Sequence, residues 1–236
     1  MKLYGFAVLA ALLLASCGKG NEPAAAPTAA AAAPEMPVMG PERHILALGD
    51  SLFAGYGVRP AESYPAKLET ALRAHGVNAR IANAGVSGDT SADGLARLAF
   101  TLNSQPKSPD LVIVSLGGND MLRGLAPDQT KANLDAIVTQ LTQRKIPVVL
   151  MGLLAPPNLG ADYRSKFDAI YPDLADKHHV SLVPFFLKAV MDKPDLIQPD
   201  HIHPTARGIE EIVAATTYAV EGELGVRFDL TTKGEI

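Results

Sequence analysis

The sequence has no tryptophan, a single cysteine and few charges: 19% of its 236 residues are Asp, Glu, Lys or Arg, and the formal net charge is −4. A lone thiol forms no intramolecular disulfide, so the fold must hold without that cross-link. Mild acidity, with no basic cluster, removes the electrostatic footprint of a nucleic-acid binder. The Gly-X-Ser-X-Gly elbow of one large hydrolase fold is missing, which weakens that reading. What is present is 47% hydrophobic, with 20 Gly and 18 Pro. That excludes collagen, coiled coil and bulk disorder, and makes one globular domain the expectation.

The first residues carry part of that apolar share. Lys2 precedes the run Leu3 to Ala15, too short to span a bilayer as a helix but suited to the apolar region of an export signal. The run ends in Leu14-Ala15-Ser16-Cys17, which resembles a bacterial lipobox, where a Cys becomes lipidated and forms the new N-terminus. Cys17 is also the only cysteine, and a thioether-linked lipid accounts for both its place and its isolation. An ordinary signal with a chance Cys is the plainer alternative. From Gly18 to Pro41, 24 positions hold 8 Ala and 5 Pro, prolines that keep interrupting any helix the alanines start. The expected organisation is therefore a signal peptide at 1–16, a lipidated Cys17 with a linker to 43, and a globular domain over 44–236. An exported, periplasmic protein tethered to a membrane by its lipid follows from it.

From His44 onward short apolar runs alternate with longer amphipathic ones. Strands are expected at 44–48, 77–82, 111–116, 147–151 and 180–183; helices at 64–75, 91–103, 128–144, 162–178 and 204–221. This alternation predicts a parallel sheet covered by helices on both sides, a three-layer α/β/α fold. Ligands of such sheets bind beyond the carboxyl ends of the strands.

Four loops at those ends carry unusual residues. Gly49-Asp50-Ser51-Leu52 follows the first strand and exposes a hydroxyl there, either as a nucleophile or as ordinary turn and N-cap chemistry. Asn83 to Thr90 follows the second, with Gly85 and Gly88 free to take positive φ and Ser87 a rival nucleophile. Gly117-Gly118-Asn119-Asp120 follows the third; its Asn amide is placed to meet a developing oxyanion, or simply to cap a turn. Pro199 to Pro204 precedes the last helix, and there the Asp200 carboxylate is near enough to accept Nδ1–H from His203, leaving Nε2 as a base. Asp200, His201 and His203 are also possible metal ligands, but no second cluster completes a site.

Singly these signals are weak. Together, in this order, the four blocks resemble the SGNH hydrolases, also called the GDSL esterase/lipase superfamily, over the chain from about His44 to the last helix. The text Ser87-Gly88-Asp89-Thr90-Ser91 and Gly94-Leu95-Ala96-Arg97-Leu98 is similar to the bacterial arylesterase subgroup of multifunctional thioesterases and lysophospholipases. The resemblance implies a flavodoxin-like sheet of about five parallel strands in the order 2-1-3-4-5. It implies Ser51 as nucleophile, His203 as general base and then acid, and Asp200 as the residue that orients the imidazole. It also implies an oxyanion hole made of the Ser51 and Gly88 backbone N–H groups and the Asn119 amide, with no metal or organic cofactor.

The expected reaction is hydrolysis of acyl or aryl esters, with thioesters and lysophospholipids as further substrates, by a monomer that meets the membrane only through its lipid. The loop from Gly152 to Tyr163, with Leu153, Leu154, Pro156, Pro157 and Leu159, either borders the site as an apolar lining or packs its leucines into the core. A carbohydrate O-acetyl esterase and an inactive, lipid-anchored acyl-binding protein are the alternatives in other classes.

Overall fold

A computed structural model of the chain describes residues 38–226. The signal, Cys17 and nearly all of the linker lie outside the described residues. Five runs of aliphatic residues form strands β1 (Arg43–Gly49), β2 (Ala79–Gly85), β3 (Leu111–Ser115), β4 (Val148–Met151) and β5 (Ser181–Val183). All pair in parallel, as the alternation of elements predicts, in the order β2-β1-β3-β4-β5 that the resemblance implied. In β1, β3 and β4 nearly every side chain is buried, because helices cover both faces and leave no solvated side to alternate with. The edge strand β2 alternates less strictly and carries exposed Arg80 and Asn83.

The covering helices are α2 (Tyr64–Ala74), α3 (Ser91–Asn103), α5 (Pro127–Gln143), α6 (Ala161–Asp168), α7 (Ile170–His178) and α8 (Ala206–Glu223), with one-turn helices α1 (Ser51–Ala54) and α4 (Gly118–Leu122) at strand ends. α2 packs on α8, whereas α3 packs on α5 and α5 on α7. Right-handed crossovers explain the grouping: the chain moves outward from β1 to β2, then reverses past β1 to β3, β4 and β5. The reversal opens a crevice between β1 and β3. There Gly49 is level with Gly85 on one side and Ser115 on the other, so three strand-end loops start side by side.

Three boundaries depart from the sequence pattern. The segment 162–178 forms two helices, broken at Ala169, because Pro172 has no N–H to donate to the Asp168 carbonyl and its ring would clash there. Asp168 then turns its carboxylate onto the Ala155 N–H at 2.8 Å. Val77 belongs to the stop of α2, its N–H donating to the Leu72 carbonyl beyond Gly76 at φ 81°, so β2 starts later and runs to Gly85. Finally, α8 starts at Ala206 behind an N-cap from Thr205, leaving Pro204 free to bridge Ile197 and close the preceding loop.

Candidate active site

Ser51 opens α1 at the end of the central strand. Gly49 is required there because a Cβ would lie 2.7 Å from the Phe53 ring, which folds back beneath the strand end. Phe53 is fully buried, stacks on Tyr64 at 5.2 Å and meets Phe186 edge-on. Asp50 caps α1 through the Leu52 N–H at 3.0 Å, and its own N–H donates to the Ser115 carbonyl at 3.2 Å. The hydroxyl of Ser51 is thus carried on one turn of helix whose Leu52 and Phe53 are set in the core. As the first helical residue, Ser51 has a backbone N–H with no acceptor inside the helix.

The turn after β2 is pressed against α1. A Cβ on Gly85 would sit 2.3 Å from the Ala54 backbone nitrogen, so only glycine permits this approach. The Val86 N–H donates to the Gly49 carbonyl at 3.0 Å, and Gly88 takes φ 89°. Arg97 ties the turn to β1, with Nε on the Asp89 carboxylate at 2.7 Å and Nη2 on the Gly49 carbonyl at 2.9 Å. Arg123 donates to the Gly88 carbonyl at 2.7 Å.

After β3, Gly117 adopts φ 109°, and a Cβ there would strike the Tyr171 hydroxyl, which donates to the Leu116 carbonyl at 2.8 Å. This turn starts α4 and points the Asn119 amide at the Asp89 carbonyl, 2.9 Å away. An amide nitrogen has two N–H groups, so one holds the neighbouring turn and one is left to donate elsewhere. Asp120 points inward instead. Fully buried, it accepts from the Ser91 N–H, the Ser91 hydroxyl and the Thr130 hydroxyl, which fastens α4 to α3 and α5.

The loop before α8 brings the last pair. Gln198 donates its backbone N–H to the His203 carbonyl at 2.7 Å, and His201 takes φ 60° to close the turn, donating its backbone N–H to the Gln198 carbonyl. One oxygen of Asp200 accepts the Ile202 and His203 backbone N–H groups at 3.0 Å; the other meets His203 Nδ1 at 2.7 Å. His203 Nε2 lies 2.8 Å from Ser51 Oγ, across 152 positions of sequence. With Asp200 accepting at Nδ1, the consistent tautomer leaves the Nε2 lone pair facing the serine hydroxyl.

The electrostatics separate the two carboxylates beside this chain of bonds. Partial burial pushes Asp200 upward, but the His203 backbone N–H, the His203 ring and the Ile202 N–H outweigh it and hold its pKa at about 2. Asp50 goes the other way: burial raises it to about 6, against the lowering influence of the Leu52 N–H and of His203. Asp200 is accordingly an ionised partner for an imidazolium, and Asp50 a costly buried acid held for its cap.

Ser51, His203 and Asp200 therefore meet as one hydrogen-bonded line, and Gly88 and Asn119 stand on turns that are bonded to each other beside it. The hydroxyl bonded to His203 Nε2 is that of Ser51, not of Ser87. His201 is exposed and contributes its backbone turn alone. The 152–163 loop divides: Leu153 is buried near Gly118, whereas Leu154 lines a cavity of about 910 Å³ with Phe185, Met191 and Tyr218, apart from the site. Among the described residues no group of three or more His, Cys, Asp or Glu side chains is placed to hold a metal ion. Two residues that carry no signal in the sequence also belong to the site. The Tyr56 ring lies 4.4 Å from the His203 ring, and Gln198 Nε2 donates to the Tyr56 carbonyl at 2.8 Å and the Pro204 carbonyl at 2.9 Å.

Residues 47–210 match the family model of the GDSL-like lipase/acylhydrolases. The chain is 42% identical over 160 residues to an arylesterase of Vibrio mimicus, covering 68% of this chain and 79% of that protein. It is also 42% identical over 160 residues to thioesterase 1/protease 1/lysophospholipase L1 of Escherichia coli, covering 68% of this chain and 74% of that one. Among solved structures it is similar to AlinE4, an SGNH-hydrolase family esterase, with 65% identity and a TM-score of 0.68 over 78% of this chain and 97% of that one.

Proposed function

The chain belongs to the GDSL-like lipase/acylhydrolase family, the SGNH hydrolases, and is a serine hydrolase of ester bonds; from that premise we propose that Ser51 is its nucleophile, His203 its base and Asp200 the orienting carboxylate. The observation that carries this assignment is the unbroken line Asp200–His203–Ser51, with contacts of 2.7 and 2.8 Å.

The steps follow from that line. Neutral Nε2 takes the Ser51 proton as Oγ bonds to the acyl carbon, and the carbonyl π pair moves onto oxygen. That oxyanion is met by the Ser51 and Gly88 N–H groups and by the second Asn119 N–H, donors already fixed by the turns that hold them. As the tetrahedral centre collapses, the bond to the leaving oxygen or sulfur breaks and His203 returns its proton to that atom. Water then attacks the acyl-serine with Nε2 again as base, and release of the acid regenerates Ser51. Asp200, ionised throughout, stabilises the imidazolium of each half-reaction.

For substrates we infer acyl and aryl esters, with acyl thioesters and lysophospholipids processed by the same residues. Support comes from the exposed apolar side chains on the site-bearing loops: Val86 on the β2 turn, Leu122 at the end of α4 and Ile202 on the histidine loop. They offer an acyl chain or aryl ring a surface to cover. The proposed setting is a monomer exported to the periplasm and tethered through lipidated Cys17, which predicts loss of membrane association and processing in Cys17→Ala.

A fluorophosphonate probe followed by peptide mass spectrometry tests the assignment. One adduct on Ser51, absent from Ser51→Ala, is expected; folded protein that gives no adduct, or one on Ser87, overturns it. A chain-length series of esters then tests the substrate inference. Activity confined to acetylated glycans would transfer the enzyme to the carbohydrate O-acetyl esterases.

A further inference from the structure

Among the groups around His203, Tyr56 lies nearly face-on to the imidazole, and the mechanism above does not use it. Tyr56 follows the single turn of helix that starts at Ser51, and its backbone N–H donates to the Ser51 carbonyl at 3.2 Å. Glycines on both sides, Gly55 at φ 82° and Gly57 at φ 73°, swing the chain so that the phenol leaves the core and lies over the imidazole. The two rings are 4.4 Å apart and inclined by 32°, closer to a face than to an edge. Gln198 secures this arrangement from the histidine loop, donating to the Tyr56 carbonyl, and Gly57 passes so near that a Cβ would meet the Gln198 amide. Tyr56 is 53% exposed, so hydrophobic burial does not explain where it sits.

We propose that Tyr56 is a positioning residue for the base: its π face stabilises the His203 imidazolium formed in each half-reaction and holds the ring with Nε2 toward Ser51. The inference rests on the assignment of His203 as base. A ring quadrupole favours a cation over a neutral group at this distance, so the interaction is stronger after proton transfer than before it, which is the condition for accelerating the step. The titratable groups facing the ring are Asp200 on its own loop, Asp50 at the end of β1 and the Tyr56 phenol. Both carboxylates also favour the cation, and the aromatic face adds to them without itself carrying a charge. Because Tyr56 rides on the nucleophile's own turn, any movement of that turn carries the ring and Ser51 together.

The test compares Tyr56→Phe with Tyr56→Leu in the full chain, each checked for an unchanged thermal midpoint. Both side chains shield the imidazole from water, and only Phe keeps a π face. Tyr56→Phe is expected to hold kcat/KM within about 2-fold and to leave the acid limb of its pH profile in place. Tyr56→Leu should lower kcat/KM about 3- to 30-fold and move the midpoint of that limb down by about 0.5 to 1 pH unit. An acid limb that stays put in Tyr56→Leu, whatever its rate, would overturn the proposal, as would a Phe variant that behaves like the Leu one. A wild-type profile with no acid limb would instead defeat the histidine base itself, and this inference with it.

Discussion

Ser51 and His203 face each other across 2.8 Å, yet the molecule holds them by unlike means. The serine is gripped from below. Gly49, Phe53 and Gly85 pack with backbone against ring and backbone against backbone, Asp50 caps the turn from a buried position, and Arg97 laces the two neighbouring strand ends together. The histidine stands on an exposed loop held by discrete hydrogen bonds, those of Asp200 and Gln198, and by one aromatic neighbour. The difference teaches that damage to the packing beneath the serine should register as lost stability, whereas damage to the reacting groups or to the bonds of the histidine loop should register as lost rate in a folded protein.

The largest effects should come from the reacting line. Ser51→Ala and His203→Ala are each expected to lower kcat by about 10⁴–10⁶ with little change in thermal midpoint, and combining them should cost hardly more than either alone. Additive losses would mean that the two side chains do not act as a unit. Next comes Asn119→Ala, which removes the amide assigned to the oxyanion and should lower kcat about 10²–10³. Part of that loss would trace to the Asp89 carbonyl, which loses its donor in the same variant. Full activity in a folded Asn119→Ala would take this residue out of the site.

On the serine side the contrast predicts the opposite readout. Gly85→Ala forces a Cβ against the Ala54 backbone, which no side-chain rotation relieves, so a stability loss on the order of 2–3 kcal/mol is expected in a denaturant titration. An unchanged denaturation midpoint would show that α1 is free to shift. Gly57→Ala places an L side chain on a left-handed backbone at φ 73° and drives its Cβ into the Gln198 amide, so it should cost about 1–2 kcal/mol of stability and lose rate as well.

Much of the frame was legible because buried parallel strands leave continuous aliphatic runs and their helices keep amphipathic spacing. The four chemistry-bearing blocks were legible for a related reason: Ser, Asn, Asp and His clustered at strand ends have few structural uses in combination. Tyr56 and Gln198 were not. Their meeting spans 142 positions and depends on two glycine turns and a strained His201, none of which leaves a periodic trace. The break at Ala169 was present in the text as Pro172, but the helical spacing on either side masked it. The 152–163 loop divided between core and surface because the adjacent Leu153 and Leu154 face different ways in an irregular segment, and the direction of each is decided by tertiary packing.

The remaining expected effects are in the pH dependence of stability. Asp50 has its folded pKa raised to about 6 from 3.8, so the native state holds a proton that the unfolded chain has released. Stability from this group should therefore fall as pH rises from about 4 to 6. Asp50→Asn, which keeps an oxygen for the Leu52 N–H, should remove that slope and raise stability above pH 7 by up to about 2–3 kcal/mol. Asp200 has the reverse sign: with its folded pKa lowered to about 2, its contribution is complete above about pH 4 and is lost as pH falls toward 2. Denaturant midpoints measured from pH 2 to 8 would separate the two, and a variant that retains the wild-type slope between 4 and 6 would place the responsible proton elsewhere.

The account turns on whether Ser51 carries the acyl group between the two half-reactions. Mixing the enzyme with a p-nitrophenyl acyl ester, quenching in acid within the first turnover and sequencing the modified peptide by mass spectrometry reads this directly. The mass of one acyl group on Ser51, lost on longer incubation as the acid accumulates, is the predicted result. Ester turnover with an acyl group trapped on another side chain would contradict it.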